Sequence, residues 1–92
     1  MMPVNYKAND KIYELYYFCM INGFKAHRNN DDMMSNYSST VQADKGAVRI
    51  WADSLWDKFL IETSTGASES CDLSDLQIRA GALIINGKEF VI

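Results

Sequence analysis

His27 is the lone histidine of this 92-residue chain, and Cys19 and Cys71 are its two cysteines. Acyl transfer of the Ser-His-Asp kind needs a nucleophile, a base and an acid that orients the base. No Gly-x-Ser-x-Gly elbow surrounds any serine. Cys19 and His27 would work together only if the segment carrying the thiol folded back towards the imidazole. Because Cys19 falls on an apolar stripe, a buried, inert thiol is expected instead. One imidazole and two separated thiols do not give the converging ligands of a zinc site. Asp31-Asp32 lacks the spacing of a calcium loop, and neither Gly23 nor Gly87 belongs to a phosphate-cradling loop. The residues therefore point to a protein that is not an enzyme, with no catalytic residue, cofactor or metal.

Charge is the chemistry that remains. Between Arg49 and Arg79 stand Asp53, Asp57, Glu62, Glu69, Asp72 and Asp75, against the single cation Lys58. The whole chain carries a net charge of −3, so the acidity is concentrated in this stretch. Direct nucleic-acid binding is disfavoured, because no basic stripe is present to release counterions from phosphate. Trp51, Arg49 and the tyrosines could stack on bases, but sheet and core roles suit them better. If the six carboxylates share a face, they form a partner-binding acidic surface that competes with DNA for a basic protein. The plainer reading is a solvated face that keeps the chain soluble.

The elements that must position these residues begin with a helix over Asp10–Asn22. Asn9 or Asp10 is suited to cap its start, and Gly23 stands where a left-handed C-terminal cap belongs. Ile12, Leu15, Tyr16, Cys19 and Met20 repeat at helical spacing as one apolar stripe. Tyr13, Tyr17, Phe18 and Ile21 cover much of the other side, so the helix needs cover on two sides. They form a candidate dimer face, with internal core as the alternative. Gly23–His27 reads as extended and Arg28–Asp32 as a polar turn, followed by a brief helix through Met33, Met34 and Tyr37 that ends at Ser38-Ser39.

From Thr40 the pattern becomes strand-like. Thr40–Ala43 and Ala47–Ala52 form a hairpin around Asp44-Lys45-Gly46, with Val48, Ile50 and Ala52 facing one way and Arg49 and Trp51 the other. Asp53–Asp57 connects to a strand over Lys58–Thr63, and Ser64–Ser70 reads as a loop. Residues 72–80 fit either a short helix stopped by Gly81 or, over Leu76–Arg79, an extended segment. Asn86-Gly87 between Ala82–Ile85 and Lys88–Ile92 marks a type I′ hairpin. Helix first and strands after it indicate a single α+β domain. An N-terminal helix packs on an antiparallel sheet of about four or five strands, with the Asn-Gly hairpin at the C-terminus. The apolar C-terminus should be tied into the sheet.

No signal-peptide pattern or membrane-length apolar run occurs, so a soluble, cytoplasmic protein with two free thiols is expected. Without a signal peptide, the sequon Asn36-Tyr37-Ser38 reads as chance.

The chain resembles small early proteins of tailed bacteriophages. Its length, acidic balance, the run Lys45-Gly46-Ala47-Val48-Arg49-Ile50-Trp51-Ala52-Asp53 and the Asn86-Gly87-Lys88 end are similar to Arn-type anti-restriction proteins of T-even-like phages. That resemblance implies a homodimeric DNA mimic, acting in the host cytoplasm. Its partner would be a host DNA-binding protein, either a modification-dependent restriction endonuclease or a nucleoid-structuring protein. The family offers no catalytic residue. The chain departs from well-known DNA mimics in being less acidic, and a dimer would double its charge. The expected function is thus a binding inhibitor. The alternative is an interaction or immunity-type module that uses Tyr13, Tyr17 and Met34 rather than charge.

Overall fold

The computed structural model describes residues 6–31 and 38–92, apart from the side chains of Tyr6 and Asp31. The first element, α1, spans Tyr6–Ile21. Ala8, Ile12, Leu15 and Cys19 lie along it as a fully buried stripe. Ala8 is the first rung of that stripe, so packing carries the helix back past the expected start at Asp10. Asn9 and Asp10 lie inside the helix and do not cap it.

Two positions exchange their expected roles. Met20 stands about 140° round the helix from Leu15 and is exposed, whereas Phe18, about 60° away on the other side, is buried. Gly23 adopts φ 84° and ends α1. Its N–H donates to the Met20 carbonyl at 3.2 Å, and the Phe24 N–H donates to the Cys19 carbonyl at 2.9 Å. These paired bonds are a Schellman cap, closed by apolar contact between Phe24 and the core.

Five strands follow as an antiparallel meander: β1 (Lys25–Asp31), β2 (Ser38–Lys45), β3 (Val48–Asp53), β4 (Lys58–Glu62) and β5 (Ser68–Asp72). Val41, Ala43, Ile50, Ala52, Phe59 and Ile61 form the inner face beneath α1. The expected division of β3 holds, with Ile50 and Ala52 inward and Arg49 and Trp51 outward. The β2–β3 turn lies at Gly46-Ala47, beyond the expected site. Gly46 at φ 60° opens this two-residue connection while Lys45 still pairs with Val48.

Three other expectations are corrected. Arg28–Asp31 is strand and not turn, Ser38 and Ser39 begin β2, and Ser68–Ser70 belong to β5. Met33, Met34 and Tyr37 of the expected brief helix lie outside the described residues. Strands β1 and β5 are the edges of the sheet, where polar side chains remain solvated. Each edge also turns a charged side chain towards the covered face. Arg28 packs over Tyr13 and Tyr16, with its guanidinium carbon 4.5 Å and 5.6 Å from the ring centres. Glu69 receives Lys88 at 3.2 Å. Inward charges on edge strands hinder the addition of a further strand.

Leu73–Asp75 forms a 3-10 turn and Gln77–Arg79 forms β6, so residues 72–80 divide between the two conformations considered from sequence. With β7 (Ala82–Ile85) and β8 (Lys88–Val91), β6 builds a second antiparallel sheet. Asn86 and Gly87 take φ 52° and 80°, the positive pair that a type I′ turn requires. The Ile92 N–H donates to the Gly81 carbonyl at 2.9 Å, tying the C-terminal residue to the sheet. Leu73, Leu76, Leu83 and Ile85 join the α1 core, so both sheets share one interior. Lys11 Nζ also donates to the Leu76 carbonyl at 2.7 Å, fastening the helix to the end of the 3-10 turn just before β6. The result is the expected α+β fold.

Candidate partner-binding surface

The connection from β3 to β4 projects from one end of the larger sheet, and its hydrogen bonds fix its shape. Ser54 is buried; its Oγ accepts from the Ser39 N–H at 2.8 Å, and its own N–H donates to the Ser39 carbonyl at 2.9 Å. Asp53 Oδ1 accepts from the Leu55 N–H at 2.8 Å. Asp57 has φ 52°, a left-handed conformation that Asp tolerates better than most residues. Its carboxylate accepts from the Ser74 N–H and Oγ, both at 2.7 Å, and its carbonyl accepts from the Leu73 N–H at 3.0 Å. Asp57 thereby joins the turn to the 3-10 segment. Between these anchors Trp56 is 61% exposed.

The antiparallel register then gathers four of the six expected carboxylates at this end. Asp53, Lys58 and Asp72 are successive cross-strand neighbours on the outer face. Lys58 and Asp72 approach to 3.8 Å as an exposed pair. Asp57 lies in the turn, and Asp75 is exposed on the adjoining 3-10 segment. Cys71 senses this grouping. Burial first, then Asp75, Asp72 and Asp57, push its thiol from the ordinary 9.0 up to about 11. Those carboxylates disfavour a neighbouring thiolate.

Glu62 and Glu69 do not join them. Glu62 occupies the other end of β4, opposite Arg49, and Glu69 turns to the inner face, where it meets Lys88. The acidic stretch is therefore not one surface. The register separates it into a group of four and two outliers.

The outer face between the two sheet ends is not purely polar. Trp51 and Leu60 are half-buried cross-strand neighbours at its centre. They help to line a cleft of about 520 Å³ with Gln42, Asp44, Arg49 and Glu62. Neither Trp56 nor Leu60 was marked as a surface residue by its local pattern. An aromatic inside a polar strand connection was the available signal for Trp56; for Leu60 none was available without the register.

The expected dimer face is divided. Tyr13, Tyr17 and Ile21 are 42%, 58% and 83% exposed, whereas Phe18 is 6% exposed and belongs to the core. An apolar groove of about 460 Å³ runs between this end of α1 and Ile78–Gly81. His27 is exposed on the outer side of β1, while Cys19 lies buried beneath the inner face. The two do not meet as nucleophile and base. Burial pushes the Cys19 thiol up from 9.0 to about 12, far from a thiolate at neutral pH. Both cysteines are free. Among the described residues no helix is long and apolar enough to cross a membrane, and no group of three or more His, Cys, Asp or Glu is placed to hold a metal ion.

No family model matches the sequence, and no curated protein or solved structure is significantly similar to it.

Proposed function

We propose that this chain is a non-enzymatic binding inhibitor whose acidic sheet end occupies the DNA-binding surface of a basic partner protein. The observation that carries this reading is the gathering of Asp53, Asp57, Asp72 and Asp75 at the sheet end that bears the exposed Trp56, with Lys58 the cross-strand neighbour of Asp53 and Asp72. Carboxylates fixed on a rigid frame can stand in for phosphates at a basic groove. An exposed tryptophan beside them supplies the apolar anchor that charge alone lacks. Because the hydrogen bonds at Ser54 and Asp57 set the turn beforehand, little ordering cost remains for binding.

A restriction endonuclease or a nucleoid-structuring protein of the host, acting in the cytoplasm, is the partner class that the phage resemblance proposes. Asp72 and Asp75 are the residues to reverse, since Asp53 and Asp57 also hold the turn. Partner captured from a bacterial lysate should be released by competing duplex DNA and by raised salt. Asp72→Lys with Asp75→Lys should weaken capture roughly tenfold or more. Capture that ignores both DNA and the double reversal would remove the proposal.

The second reading is an interaction module that uses the apolar groove, favoured by the exposure of Tyr17 and Ile21 along its wall. The proposed homodimer would use the same wall. Tyr17→Ser with Ile21→Ser would then abolish partner capture, whereas competing DNA and the Asp72→Lys, Asp75→Lys reversal would leave it intact.

A further inference from the structure

The cleft over Trp51 lies on the same outer face as the acidic end, two residues along β3 from Asp53. Its floor is the half-buried pair Trp51 and Leu60, and its rim carries Asp44, Arg49 and Glu62. Arg49 is drawn aside by Asp44, its Nε lying 3.5 Å from Oδ1. Among the described residues Glu62 enters no ion pair and accepts no side-chain hydrogen bond, although it is the cross-strand neighbour of Arg49. The cleft thus offers an indole face and an uncompensated carboxylate together. A planar cation satisfies both, stacking on Trp51 while donating to Glu62.

We infer that this cleft seats an arginine side chain of the same basic partner, an inference that rests on the proposed function and names the chemistry recognised. Lys58 and Glu62 bound β4 and are about 13 Å apart at the rise of a strand. A basic segment laid across the outer face therefore reaches the Trp51 cleft and the acidic end together. Charge complementarity selects this occupant: the Asp53 end of the face is net acidic, the row Lys25, Asp44, Arg49 and Glu62 at the other end is balanced but leaves Glu62 outside any ion pair, and the centre is aromatic. A second copy of the chain would bring acidic ends near one another, and a neutral apolar segment would leave Glu62 without a partner.

The chain has two tryptophans, so Trp56→Phe leaves Trp51 as the only indole reporter. This variant should be titrated with N-acetylarginine amide, a guanidinium too short to span to the acidic end, while Trp51 emission is followed. A saturable change is expected, tighter for arginine than for N-acetyllysine amide by about threefold. Glu62→Gln should weaken it about fivefold, and Asp72→Lys with Asp75→Lys should leave it unaltered. No saturable response, an equal response to N-acetylglutamine amide or to a neutral sugar, or persistence in Glu62→Gln would each overturn the assignment. Partner capture by the unmodified chain separates the two ideas. DNA-sensitive capture with a silent cleft removes only the arginine seat, whereas an arginine response without DNA-sensitive capture leaves the seat standing and removes the inhibitor reading.

Discussion

The acidic turn and the apolar groove both face outward, yet different forces hold them in shape. Around Trp56 the backbone is fixed by hydrogen bonds that Ser54, Asp53 and Asp57 accept, and carboxylates flank the exposed indole. Along the groove the backbone is fixed by the core beneath it. Phe18 reaches inward, while Tyr17 and Ile21 stand on the wall. A surface shaped by polar bonds can present charge without moving, and its recognition weakens with salt. A surface shaped by packing offers area, and salt affects it little. The contrast provides a means of telling the two binding modes apart.

The largest expected effect lies under the groove. Phe18→Ala should cost about 3–5 kcal/mol, because it empties a core site, and chemical denaturation will measure it. Tyr17→Ser, on the same helix but outward, should change stability by no more than about 0.5 kcal/mol. A comparable loss in both would mean that the groove wall is part of the core. Next comes the turn. Ser54→Ala removes the acceptor for the buried Ser39 N–H and should cost about 1–3 kcal/mol in the same measurement. A neutral outcome would show that the turn is not held by that bond.

The two thiols are raised by different surroundings, Cys19 by burial alone and Cys71 by burial together with the acidic end. Cys19 is raised from 9.0 to about 12, so the folded chain keeps its proton while the unfolded chain releases it. Stability should therefore be unaffected by this group below about pH 9 and should fall as pH climbs from there towards 12. Cys19→Ala should flatten that decline. The smallest effect belongs to Cys71. Asp75→Asn should lower its pKa from about 11, seen as faster alkylation at alkaline pH, yet leave it above the ordinary value because burial is the larger cause.

Much of this architecture was legible from local pattern. Gly23, Asn86 and Gly87 occupy backbone positions whose positive φ their residue types favour, and the stripe through Ile12, Leu15 and Cys19 named the buried side of α1. The edge strands were legible only in part: the extended reading of Gly23–His27 caught the start of β1. Arg28-Asn29-Asn30-Asp31 and Ser68-Glu69-Ser70 read as turn and loop, because solvated edges accept polar residues that interior strands exclude. Strand β1 is also stabilised by Arg28 packing on Tyr13 and Tyr16, a tertiary contact with no local signature. The acidic site was half legible for the same reason. Residue types marked six carboxylates, but only the β4–β5 register brings Asp72 beside Lys58 while turning Glu69 away.

If the acidic end stands in for DNA, the chain and duplex DNA must compete for one site on the partner. The captured partner is held at fixed concentration with labelled duplex DNA, and the chain is titrated in at two salt concentrations. The unmodified chain is expected to displace DNA, with a potency that falls as salt rises, and Asp72→Lys with Asp75→Lys to lose most of that potency. Simultaneous binding of DNA and the chain to the partner, or equal displacement by the double reversal, would contradict DNA mimicry.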